Sequence, residues 1–212
     1  MALIAKAGGS GAGFTPIDEG TYTAICYGLV DVGEQLITYD KHEKAVYQIV
    51  VMWEIPDETI EIDGEDKPRV INKIYTLSLH EKSGLRKDLK SWRGREFTEE
   101  ELAGFDMVNI VGVPCLINIV HSTKGEKTYA NISGIMALPK GMPKPKSTIA
   151  KMVFDIDKAT DADLEKLPEW LQNKVTGSLT WKSKKLDKLT EKAKESGIEF
   201  EELDDEDGDL PF

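Results

Sequence analysis

Apolar and polar positions alternate along much of the first two thirds of the chain, and the alternation marks out strands. Between Ala45 and Ile55 the odd positions Tyr47, Ile49, Val51, Trp53 and Ile55 are all apolar, while Gln48 and Glu54 fall on the other face. That period predicts a half-buried strand with Trp53 in the core. Gly20 precedes Thr21 to Val30, a run rich in β-branched and aromatic residues that predicts an earlier strand. The polar stretch from Asp31 to Lys44 reads as a long loop. The acids from Asp57 to Asp66, grouped around the turn signal Asp63-Gly64, read as an exposed hairpin loop. Val70 to Leu79 is predicted as a third strand.

The period then changes. Leu85, Leu89 and Trp92 recur at helical spacing behind Ser83, which suits an N-cap, so Trp92 is expected under the helix. Thr98 and Glu101 have capping-box spacing and predict a second short helix ending near Gly104. Pro114–His121 and Thr128–Ile135 then form a hairpin around Lys124-Gly125. The order β-β-β-α-β-β is that of the OB-fold, so the expected class is mainly β (α+β), a five-stranded barrel over residues 14–138. A mixed α+β domain of another topology is the alternative.

Residues 1–13 form a Gly-rich flexible leader that lacks the Gly-Lys-Ser/Thr ending of a phosphate loop. Residues 139–150, rich in proline and lysine, read as a linker. Residues 151–197 follow as a helical appendage. In it Leu164, Leu167, Leu171 and Val175 share one face from Thr160 to Thr176, Trp170 flanks them and Pro168 marks a break. A second helix is expected from Lys182 to Lys194. Residues 198–212 are expected to be a disordered acidic tail, because self-repulsion and the lack of an apolar period keep such a run out of a core.

Charge sharpens this division. The 212 residues carry a net charge of −11, yet eight acids lie between Glu199 and Asp209, leaving 30 acidic against 27 basic side chains elsewhere. Distribution therefore matters more than the sum. Cys26 and Cys115 sit in separate apolar runs and are expected as reduced, buried thiols. With neither a signal-peptide stretch nor a membrane-length apolar run, the expected location is the cytoplasm, with no membrane partner. His42, His80 and His121 are scattered, and no nucleophile motif or metal-ligand spacing appears, so no enzyme activity, cofactor or metal is expected. A metal-dependent nuclease built on the Asp57–Asp66 acids ranks low, since their spacing matches no EF-hand loop and they lack a basic partner.

The basic residues are clustered. Lys82, Arg86, Lys87, Lys90, Arg93 and Arg95 fall within fourteen positions, opposed by Asp88 alone. Cations release counterions from phosphates and aromatic faces stack bases without reading them, which is the minimum equipment for holding a single strand. Candidate DNA-binding residues are Arg86, Lys87, Lys90, Arg93 and Arg95, joined by Lys73 and Tyr75 on the third strand. Lys124, Lys127 and Tyr129 on the last hairpin complete the set; given an OB-fold, these three with Lys73 and Tyr75 lie on the barrel's usual binding surface and its loop. In the tail, Asp209, Leu210, Pro211 and Phe212 are candidate partner-binding residues: an aromatic ring beside a free carboxylate suits an apolar pocket rimmed by Arg or Lys, and Pro211 limits the conformers to be ordered.

Two resemblances bear on function. The acidic run ending in Asp209-Leu210-Pro211-Phe212 resembles the C-terminal tail of bacterial single-stranded-DNA-binding proteins. That implies recruitment of replication and repair enzymes and competition with DNA for the protein's own basic groove. The stretches Gly20–Ala24, Val30–Gln35, Tyr75–Lys87, Trp92–Thr98, Val113–Cys115 and Leu167–Gln172 are similar to a family of phage-encoded OB-fold proteins taken to bind single-stranded DNA or to act in replication. Together they imply a protein of a bacterial host's cytoplasm that coats single strands and passes them to replication or recombination enzymes. A protein-interaction module, or a DNA mimic whose acidic surface occupies a host protein's groove, is the alternative.

Overall fold

The strand alternation builds one sheet with a covered face on each side. The computed structural model describes residues 15–39, 41–62 and 64–196. Strands β1 (Gly20–Tyr39), β2 (His42–Ile62), β3 (Glu65–Thr76), β4 (Pro114–Lys124) and β5 (Lys127–Ala137) lie in the order β3-β2-β1-β4-β5, every neighbouring pair antiparallel. Side chains one residue apart point to opposite faces. Ala24, Cys26, Ile49, Val51, Trp53, Ile55, Ile71, Tyr75, Ile117 and Ile119 therefore meet on one face, where helix α1 (Gly84–Arg93) adds Leu85, Leu89 and Trp92. Trp53 and Trp92 lie with ring centroids 5.8 Å apart, and the Trp92 indole donates to the Pro114 carbonyl at 3.1 Å. Both are core residues, as the periodicity predicts. Cys26 and Cys115 are free and buried.

The expected closed barrel is corrected to an open sheet. Strands β3 and β5 end the ladder and no strand pairing joins them among the described residues. Helix α1 packs against both, so apolar side chains rather than backbone bonds cover the open side. The helix caps follow the sequence. The Ser83 hydroxyl accepts from the Leu85 N–H, and Thr98 and Glu101 form a full capping box on α2 (Glu99–Ala103), followed by Gly104.

Two loops are shorter than expected. The stretch from Asp31 to Lys44 is almost all strand: β1 runs on to Tyr39, and Leu36 pairs with Ala45 and Ile37 with Lys44. A register shift between Asp31 and Gly33 re-aims the strand, and Lys41 takes the positive φ (65°) that lets the turn close. The acidic segment likewise continues β2 to Ile62 and opens β3 at Glu65, with Gly64 at φ 80° in the turn. The hairpin is where the sequence puts it, as a ribbon with a tight turn. The hairpin around Lys124-Gly125 forms as predicted.

Beyond β5 the chain returns to the sheet. Residues Met152–Phe154 form β6, parallel to β1 along Gly28–Val30, where β4 no longer pairs with β1. Pro168 separates α3 (Asp161–Glu165) from α4 (Glu169–Gly177), and α5 spans Leu179–Glu195. Leu167, Leu171, Val175 and Trp181 bury against Val30, Val32, Val50 and Met52, making a second core on the outer face of β1 and β2. Gly33, at φ 70°, permits this docking: a Cβ there would lie 2.8 Å from both Ile156 Cδ1 and Thr180 Cβ. No helix among the described residues is long and apolar enough to cross a membrane. The leader and the acidic tail, with Asp209, Leu210, Pro211 and Phe212, lie outside the described residues.

Candidate nucleic-acid interface

Most cations of the α1 stretch already have partners. Lys73 donates to Asp88 at 2.7 Å and the Tyr75 hydroxyl to the same oxygen at 2.8 Å, which satisfies a carboxylate buried under α1. Tyr75 is itself only 6% exposed, so its ring faces belong to the core and offer no platform for a base. Burial, with Asp88 beside it, pushes the Tyr75 hydroxyl well above its ordinary pKa. Lys90 pairs with Glu96. Arg93 is stacked between Phe97 and Phe105, its guanidinium 4.4 and 5.0 Å from the ring centroids, and pairs with Glu101. Arg95 donates to both oxygens of that same carboxylate, at 2.6 and 3.0 Å. Hydrogen bonds from Arg95, the Thr98 N–H and Arg93 hold Glu101 down at about 2. Arg86 is half-buried and donates to the Leu79 carbonyl at 3.2 Å. Lys82 and Lys87 are exposed and enter no ion pair among the described residues.

The β4–β5 hairpin differs. Lys124 and Lys127 pair across the ladder at its tip and are exposed without an acidic partner among the described residues. Tyr129, opposite Ser122, is 46% exposed. A flat ring beside two free ammonium groups can stack a base while its phosphates are neutralised. This hairpin tip and α1 do not form one cluster. Gly94, the C-cap of α1, sits beside Ala137 at the end of β5, whereas Lys127 opens that strand, so roughly 30 Å of strand lies between them.

One surface was missed by the sequence reading. On β3, Ile71, Lys73 and Tyr75 turn inward, so Val70, Asn72, Ile74 and Thr76 form the outer face, where all are exposed, Val70 at 47% and Ile74 at 44%. Met52 and Val50, the ladder partners of Asn72 and Ile74, are buried in the core made with the C-terminal helices. The outer face is thus roofed over β2 and bare over β3. A separate open depression of about 450 Å³ lies where the edge of β3 meets the start of α1, lined by residues of both strand faces and of the helix start, Lys73, Ile74, Tyr75, Lys82 and Leu85 among them. The alternation of β3 carried the signal, once Tyr75 is assigned inward. Among the described residues no group of three or more His, Cys, Asp or Glu could hold a metal ion. Compared with known proteins, the chain matches no family model and no curated sequence.

Proposed function

We propose that the protein binds single-stranded DNA without sequence preference and performs no chemistry on it. In this reading it is a phage-type replication accessory acting in the cytoplasm of a bacterial host. The observation that carries this is the β4–β5 hairpin, where exposed Lys124 and Lys127, outnumbering Glu126 between them and in no ion pair among the described residues, stand beside the exposed ring of Tyr129. The strand order supports an OB-type barrel opened between β3 and β5, a partly open architecture that uses strand faces and hairpin loops to hold oligonucleotides. Exposed Lys82 and Lys87 are further cations, separate from the hairpin tip; Arg93 and Arg95 serve α2 and do not touch DNA. The acidic segment 199–212, ending in Asp209, Leu210, Pro211 and Phe212, recruits replication or recombination proteins.

Titration of labelled oligo-dT tests the proposal. Affinity should exceed that for duplex and fall steeply between about 50 and 200 mM salt, because each neutralised phosphate releases counterions. The triple variant Lys124→Ala, Lys127→Ala, Tyr129→Ala should weaken binding without changing the fold. Removing Phe212 should leave DNA affinity unchanged and abolish capture of a replication protein. Absence of binding at low salt, with the acidic segment removed, would sink the reading.

A second reading rests on the β2–β3 ribbon, whose Asp57, Glu61, Glu65 and Asp66 are exposed. A module that presents this acidic arm to a basic protein would ignore oligo-dT and lose its partner on charge reversal of the arm.

A further inference from the structure

The segment between β5 and β6 is pinned to the sheet at one point. Glu54 lies on the outer face of β2 and is fully buried. Its Oε1 accepts from the Thr148 N–H at 2.9 Å and the Thr148 hydroxyl at 2.7 Å; its Oε2 accepts from the Ile149 N–H at 3.3 Å and from the Ser147 hydroxyl. Three consecutive residues therefore fill both oxygens of one buried carboxylate. A buried charge with that many donors is a strong, directional anchor. Because Glu54 pairs directly with Val70, the two share a face, and the pinned residues stand beside the bare surface of β3.

Just before the pin the strap carries Lys140, Lys144 and Lys146, all exposed and in no ion pair among the described residues. Pro143 and Pro145 alternate with the last two lysines, restricting the backbone to extended conformers before it reaches Ser147. Lys146 and Lys144, one and three residues before Ser147, are thereby held near Glu54, whose ladder partner Val70 shares the exposed outer face of β3 with Asn72 and Ile74. Exposed cations on the strap beside the exposed apolar side chains of Val70 and Ile74 suit a chain that is anionic along one edge and apolar on its faces, which describes single-stranded nucleic acid.

We propose that Glu54 is a positioning residue that fixes Ser147–Ile149, so that Lys144 and Lys146 neutralise phosphates of a single strand lying along Val70, Asn72 and Ile74. This deepens the single-strand reading and rests on it. The strap is then part of the binding surface, and the hairpin lysines bind the strand at a second, separate place.

The experiment is an oligo-dT titration across salt with the full chain. Every phosphate left without its lysine should reduce the slope of log affinity against log salt by about 0.7. Lys144→Gln with Lys146→Gln should therefore flatten it by about 1.4 and weaken binding several-fold at low salt. These exposed changes leave the fold intact. Glu54→Ala should flatten the slope as well, with faster proteolysis between Lys140 and Ser147. If that variant fails to fold, Thr148→Val, which removes one donor from the strap side, should give the same change in smaller measure. A wild-type slope in the lysine double variant, while Lys124→Ala with Lys127→Ala flattens it, overturns the strap and leaves the single-strand reading standing. No binding by the wild-type chain overturns both. Displacement of oligo-dT by poly-glutamate at equal charge concentration would assign this surface to an acidic peptide and overturn it too.

Discussion

A carboxylate taken out of water is tolerated only if its oxygens are filled, and Glu54 meets that condition with donors from Ser147, Thr148 and Ile149. Burial pushes its pKa up, but these hydrogen bonds outweigh burial and leave the carboxyl below its ordinary value. A carboxyl depressed in the folded state contributes stability above its unfolded pKa, near 4.3, and loses it as pH falls through the folded value. The stability gap between wild type and Glu54→Gln should therefore be full at neutral pH and shrink as pH drops below about 4, read from urea midpoints at each pH. A constant gap from pH 7 to pH 3 would show that ionisation plays no part. Glu54→Ala, which strands buried donors, should cost roughly 1–3 kcal/mol at neutral pH. Alternation places Glu54 on the outer face of β2, but a polar residue on an outer face reads as solvated. Nothing near position 54 announces that Ser147–Ile149, more than ninety residues later, will cover it. Trp53 and Trp92 were legible because their burial follows from local period alone.

At the scale of elements, local chemistry decided what was readable. Caps, the capping box and the turns at Gly64 and Lys124-Gly125 depend on neighbours a few positions apart, and the sequence expectations for them stand. The long β1–β2 hairpin did not stand out, because Asp31, Glu34, Gln35 and Lys44 look like loop residues. Their strand conformation is secured by distant partners: Tyr47 donates to Asp31 at 2.9 Å, the Glu34 N–H to the Thr180 hydroxyl at 2.9 Å, and Gln35 to the Lys174 carbonyl at 3.0 Å. Gly33 is the hinge of that docking. Gly33→Ala combines a left-handed φ with close approach at 2.8 Å to Ile156 and Thr180, whereas Gly64→Ala has the left-handed φ alone, with nothing within 4 Å. Left-handed strain costs about 1–3 kcal/mol. Gly33→Ala should lose more stability than Gly64→Ala and raise amide exchange in α4 and α5, while Gly64→Ala should leave those helices protected. Equal losses with unchanged exchange would mean that the helices dock without needing Gly33.

Across the whole molecule, the division into an N-terminal sheet domain and a following appendage is open to a direct test. The second core is shared: Val30, Val32 and Val50 are 0% exposed and Met52 3%, and each is covered by residues after Lys151. β6 also completes the edge of β1 along Gly28–Val30, where β4 has ended. Covering such side chains is worth about 1.5–3 kcal/mol each. Four of them amount to much of the roughly 5–15 kcal/mol that holds a typical domain together. A chain ending at Leu138 would keep every strand from β1 to β5 and the whole inner core, yet present an apolar outer face and an unpaired edge to water. Both features promote association. The fragment 1–138 is therefore expected to aggregate or to unfold non-cooperatively, and to recover when 139–196 is supplied as a separate polypeptide that rebuilds the second core. Size-exclusion chromatography and thermal denaturation read the outcome. A monomeric fragment with a cooperative transition near that of the full chain would show that the five-stranded sheet with α1 is an independent domain and that the C-terminal helices merely rest on it.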